Sequence, residues 1–129
     1  MLKMTKIELV SATFNVKSKK VAPFKVDLSE YKKIAEKKKA DCFRIKYRLS
    51  FTVDSAQKDF FRLSCSFESS YECDDKGREL LKEHIVVAHA ISYLREFVSN
   101  MTMRSPLPTV VIDPANALML WKDYKDGKE

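Results

Sequence analysis

Few side chains in this sequence are spaced for bond-making chemistry. His84 and His89 are the two histidines, five residues apart in a stretch of helical periodicity, a spacing that points them to different helix faces rather than at a shared metal. Cys42, Cys65 and Cys73 are an odd number with no C-x-x-C and no neighbouring histidine pair, which argues against a disulfide frame and a zinc site. They are expected to be reduced thiols, with Cys65 in the core. Asp74 and Asp75 stand where a strand pattern gives way to a helical one, and Asp there favours the turn and the positive end of the helix. Arg95 and Glu96 are adjacent, so on a helix they diverge by about 100° and cannot converge on one substrate atom. Gly77 and Gly127 are too few for a phosphate loop. The expectation is no catalytic residue, no metal ligand set and no cofactor.

The chemistry on offer is apolar binding. Phe24, Val26, Leu28 and Tyr31 lie in one segment; Leu107, Val110, Ile112, Leu118, Trp121 and Tyr124 lie near the end. An apolar, aromatic surface takes up nonpolar stretches of many sequences with little demand for matched hydrogen bonds. Burial in the core is the competing explanation for Val26, Leu28, Val110 and Ile112, because it is the default fate of such residues. Trp121 and Tyr124 are expected to be the accessible lining.

The elements that position these residues follow from periodicity. Phe43, Ile45, Tyr47, Leu49, Phe51 and Val53 share one parity, and Phe61, Leu63, Cys65, Phe67 and Tyr71 repeat the pattern, predicting two half-buried strands. The short polar link Asp54 to Lys58 makes them an antiparallel hairpin. Between Lys6 and Lys17 the alternation changes phase after Leu9, which predicts a bulged strand. A short strand over Pro23 to Leu28 is followed, on this reading, by mobile lysine-rich sequence through Lys39. From Arg78 to Met103 the pattern is helical and apolar over a broad sector, about 25 residues that one small sheet cannot cover. That surplus predicts packing against another subunit through Ile91, Leu94 and Val98. Asp113 as N-cap and Pro114 as first residue start a last helix. The sum is an α+β fold over residues 1–129, one domain: a four-stranded antiparallel sheet with a long helix and a short C-terminal helix packed on one side.

The window from Ala90 to Trp121 resembles the SecB export chaperones. The likeness rests on Tyr93, Arg95 and Glu96 in a Y-x-R-E segment, then Met101, Arg104, Leu107-Pro108, Val110 with Ile112, Pro114, Asn116 and Leu120-Trp121. Ser105 stands where a glycine is usual and Ala117 where an aromatic is usual. The resemblance implies a homotetramer of two dimers joined through the long helices, with Arg95 and Glu96 as assembly residues. It also implies a groove, bordered by the two apolar regions, that holds unfolded, export-bound polypeptide without nucleotide. A chaperone of antitoxins is the variant of this role that keeps the fold and changes the client.

Charge is unevenly placed. The chain of 129 residues carries a net +6, and the segment from Lys17 to Arg48 holds twelve Lys or Arg against four Asp or Glu. Family members present an acidic sheet face to the translocase motor SecA, whereas here Arg44, Lys46, Arg48 and Arg62 face outward. That sign argues against SecA as a partner in the usual manner. Nucleic acid is the alternative partner for such a face, with Phe60 or Tyr31 as stacking residues, although the strand aromatics fall on the apolar parity. The longest apolar run, Ile85 to Ile91, is far short of the roughly 20 residues of a membrane span. With no leader pattern at the start, a cytoplasmic location is expected.

Overall fold

A computed structural model describes residues 2–17, 24–55, 61–103 and 117–127. Four strands come first, β1 (Leu2–Val16), β2 (Phe24–Lys39), β3 (Cys42–Ser55) and β4 (Phe61–Cys73). Three helices follow: α1 (Asp75–Leu80), α2 (Glu83–Met103) and α3 (Ala117–Asp126). The strands form one antiparallel sheet in the order β1-β4-β3-β2, so β2, β3 and β4 are successive neighbours while β1 crosses to the far edge.

The predicted parity places the central hairpin. Phe43 through Val53 on β3 and Phe61 through Cys73 on β4 are buried at every second position, and Asp54 pairs with Arg62 at its closed end. This inner face is covered by α2, whose Val86, Val87, Ala90, Ile91, Leu94, Val98 and Thr102 recur at helical spacing. Thr102 is buried without cost because its hydroxyl donates to the Val98 carbonyl at 2.9 Å. The phase change in β1 is a register shift between Leu9 and Ser11, with a second between Met4 and Lys6. Each shift returns apolar residues to the inner face.

Two expectations need correction. The lysine-rich stretch is not loose: the strand expected to end at Leu28 continues through Lys39 as an edge strand, so Tyr31 also lies within it. Shifts between Leu28 and Glu30 and between Lys33 and Ala35 change its parity twice, which hides the alternation. Lysines on an edge also discourage unwanted strand pairing. The long helix is broken, too. Leu81 leaves helical geometry at ψ 76°, its N–H closes α1 on Gly77 and Arg78 carbonyls, and α2 restarts at Glu83. The break turns Leu80 out to solvent and Leu81 toward the core, while Asp74 caps α1 by accepting the Gly77 N–H at 2.8 Å.

The expected interface divides along the same helix. Ile91, Leu94 and Val98 are 0–1% exposed because the subunit's own sheet covers them, and Arg95 and Glu96 lie on the exposed side. The start expected for the last helix at Asp113 and Pro114 lies outside the described residues.

Candidate functional site

The bulge in β2 after Leu28 sets up the site. It swings Tyr31 onto the inner face, opposite Leu49, so its ring meets residues of α3 that pass over this edge of the sheet. Trp121 stands edge-on to Tyr31 with centroids 4.7 Å apart, and Tyr124 lies 5.7 Å beyond Trp121. On the other side Tyr31 is 5.5 Å from Tyr47, which is 6.0 Å from Tyr71. The result is an aromatic strip running from α3 across β2 and β3 to β4. The two edge-to-face contacts, Trp121 on Tyr31 and Tyr47 on Tyr71, contribute beyond simple burial.

Of the sequence-predicted lining, Phe24, Val26, Tyr31, Trp121 and Tyr124 are half-buried, whereas Leu28 is in the core. Leu107, Val110 and Ile112 lie outside the described residues. On α3 the first turn points two apolar side chains outward, Leu118 at 51% and Met119 at 60% exposure, ahead of exposed Lys122, Asp123, Lys125 and Asp126, while Leu120 is buried. Sequence reasoning missed Met119 and Tyr47. The first sits next to the predicted Leu118; the second was legible as an inward strand residue but not as a link in the strip.

Beyond Tyr47 the strip opens into a cavity of about 450 Å³ between the inner face and α1, lined by Lys33, Glu36, Ile45, Tyr47, Asp75, Arg78, Glu79 and Leu81. Its rim is organised around Glu36, which bonds Lys33 and Arg78 at 2.6 Å each. The bond from Lys33, joined by that from Arg78, holds the Glu36 carboxyl below its ordinary range despite the opposing effect of burial. Arg78 also lies over the Phe43 ring, 4.8 Å from its centroid.

Electrostatics keep the strip neutral. Burial raises the pKa of Tyr31 far above its usual value, with Tyr47 next in effect, and burial likewise raises that of Tyr47. Tyr71 is pushed up to about 12, again by burial. These phenols therefore stay protonated donors at any working pH. Burial also pushes the Cys65 thiol up to about 12, so it remains an inert, protonated group. Among the described residues no group of three or more His, Cys, Asp or Glu is placed to hold a metal. His89 takes part in structure: Nδ1 is 2.9 Å from the Tyr71 hydroxyl and the rings stack at 5.7 Å.

The outer face carries the cations expected there, with Arg62 exposed and the three on β3 paired. Arg44 meets Glu72 at 3.1 Å, while Lys46 and Arg48 share Glu68 at 3.3 and 2.6 Å. No described helix is long and apolar enough to cross a membrane.

No family model matches the sequence, nor does any curated protein. Among solved structures the chain is similar to the SecB-like chaperone Rv1957 of Mycobacterium tuberculosis, solved in complex with a ChAD peptide from the Rv1956 HigA1 antitoxin. The TM-score is 0.68 at 15% identity, over 87% of this chain and 86% of that one. It is also similar to a protein of unknown function from Streptococcus agalactiae, with a TM-score of 0.57 at 11% identity over 88% and 97% of the two chains. The α+β fold is thus SecB-like.

Proposed function

We propose that this chain is a non-enzymatic molecular chaperone that holds unfolded polypeptide on the strip shared by β2 and α3. The observation that carries the reading is the contact of Trp121 with Tyr31 beside exposed Leu118 and Met119. Apolar side chains of a client would continue the strip, at about 25 cal/mol per Å² of nonpolar surface removed from water. Flexible Met119 suits varied client shapes, and permanently neutral phenols give hydrogen bonds without demanding a charged partner. No nucleotide is required, because the energy comes from the client's own buried surface.

The natural clients of a SecB-like chaperone are preproteins kept competent for export, acting in the cytoplasm, and this is the role we assign. A second reading, a chaperone dedicated to an antitoxin, is favoured by the peptide that the similar Rv1957 carries. Nucleic acid is the weaker partner, since the aromatics of β3 and β4 are buried on the inner face and give bases no stacking platform beside the outward cations. Assembly into a homotetramer belongs to the same proposal. Exposed Leu9 and Val10 on the β1 edge and Tyr93 and Met103 on α2 supply the unspent apolar surface, beside Arg95 and Glu96.

The test is binding of a reduced, permanently unfolded protein. Trp121→Ala should weaken it roughly tenfold with the oligomeric state unchanged, since losing one aromatic anchor removes 1 to 3 kcal/mol. The folded form of the same protein should not bind. Equal binding of folded and unfolded forms, or no effect of Trp121→Ala, would defeat the proposal.

A further inference from the structure

The strand register fixes which side chains share the outer face. Reading across β1, β4, β3 and β2, one row is Lys3, Glu72, Arg44 and Lys37; the next is Lys6, Ser70, Lys46 and Ala35; the third is Glu8, Glu68, Arg48 and Lys32. Seven cations stand against three carboxylates, a surplus of four on half of one face. The rows above change character. They hold Ser11, Ser66, Ser50 and Glu30, then Thr13, Ser64, Thr52 and Asp27, and last Asn15, Arg62, Asp54 and Lys25, where two cations stand against one carboxylate, so the surplus of positive charge lies toward one end. Where Ser70 and Ala35 replace long side chains, the basic half sinks into an open depression of about 430 Å³, bordered by Thr5, Lys37, Arg44, Lys46 and Glu72.

We infer that this basic half-face is a docking surface for an acidic, extended segment of a partner protein. Arg44, Lys46 and Arg48 follow one another at alternate positions of β3, about 6.8 Å apart, and an extended chain with carboxylates at i, i+2 and i+4 repeats that distance. Glu68 and Glu72 bond the three cations from β4 and so hold them in place. Lys32 and Lys37 on the β2 edge, both exposed, extend the field sideways. A carboxylate-rich segment fits better than nucleic acid because no outward residue of the three rows is aromatic, which leaves bases nothing to stack on. This surface is on the opposite side of the sheet from the aromatic strip, so the two can be occupied independently.

The experiment uses the full chain and three fluorescent probes at 50 mM salt: a peptide with Glu at alternate positions, its Gln counterpart, and a 12-nucleotide oligothymidylate. The Glu peptide should bind saturably and the Gln peptide should not. Lys32→Glu together with Lys37→Glu should weaken it at least tenfold, and 200 mM salt should weaken it severalfold by screening. Both positions are exposed on an edge, so circular dichroism should stay unchanged. Trp121→Ala should leave this binding intact whether or not the strip binds clients. Equal binding of Glu and Gln peptides, indifference to the double substitution, or tighter Lys32- and Lys37-dependent capture of the oligonucleotide would each overturn the assignment.

Discussion

The Tyr124 hydroxyl is bonded to both main-chain groups of Tyr31, accepting its N–H at 3.2 Å and lying 3.5 Å from its carbonyl as donor. In an antiparallel ladder the N–H and C=O of one residue point to the same side, so on edge strand β2 both groups of Tyr31 turn away from β3. One phenol thus satisfies an edge position that would otherwise be open, and it ties α3 to the sheet beside the Trp121–Tyr31 contact.

Tyr124→Phe removes those bonds while keeping the ring. It should destabilise the docking of α3 by about 1 kcal/mol, the usual net value of a protein hydrogen bond. The Tyr31 amide should then exchange with deuterium faster, while amides of central β3 and β4 keep their protection. Unchanged exchange at Tyr31 would mean that the phenol is not what closes this edge.

A second prediction concerns the turn between β2 and β3. Lys39 pairs with Cys42, leaving Ala40 and Asp41 as a two-residue loop, and Ala40 has a φ of 54°. Side chains with a Cβ are strained there and glycine is not. Ala40→Gly should therefore stabilise the protein by about 1 kcal/mol, a rise in melting temperature of roughly 4 °C at fixed protein concentration. No rise in the melting temperature would contradict the left-handed turn.

The same turn explains what the sequence concealed. Hairpins of this length usually announce themselves with Asn-Gly or Asp-Gly, and Ala40-Asp41 does not. The two shifts in β2 then scramble its alternation, so Phe24 to Leu28 were legible as strand and Tyr31 to Lys39 were not. By contrast β3 and β4 keep one parity throughout, and their pairing could be read directly. The helix break at Leu81 and Lys82 has neither Pro nor Gly to mark it. At the site, Tyr31, Trp121 and Tyr124 were recognisable by type. Their contact was not, because it depends on β2 remaining a strand at Tyr31 and on a helix arriving ninety residues later.

The two sides of α2 should respond oppositely to a carboxylate. Leu94 is fully buried within the subunit, so Leu94→Asp places an unpaired charge in the core and should cost several kcal/mol, unfolding the chain. Tyr93 is 42% exposed, so Tyr93→Asp should leave the subunit folded and, if assembly uses this face, lower the mass seen by light scattering. Circular dichroism alongside scattering separates the cases. A folded Leu94→Asp protein would contradict the packing of α2 on the sheet.

The exposed side of α3 gives the cleanest test of the strip, because Trp121 also packs against Tyr31 and its loss can act through stability. Leu118 and Met119 are mostly in solvent, so Leu118→Ser with Met119→Ser should change the melting temperature by under about 2 °C. Client binding should still fall, by roughly three- to tenfold, as the side chains that would flank a bound segment lose their apolar surface. Apolar capture should also vary little between 50 and 200 mM salt, since no charge pair carries it. If the double variant binds an unfolded protein as tightly as the parent, the client does not cross α3 at Leu118 and Met119, and the binding surface must lie on another part of the molecule.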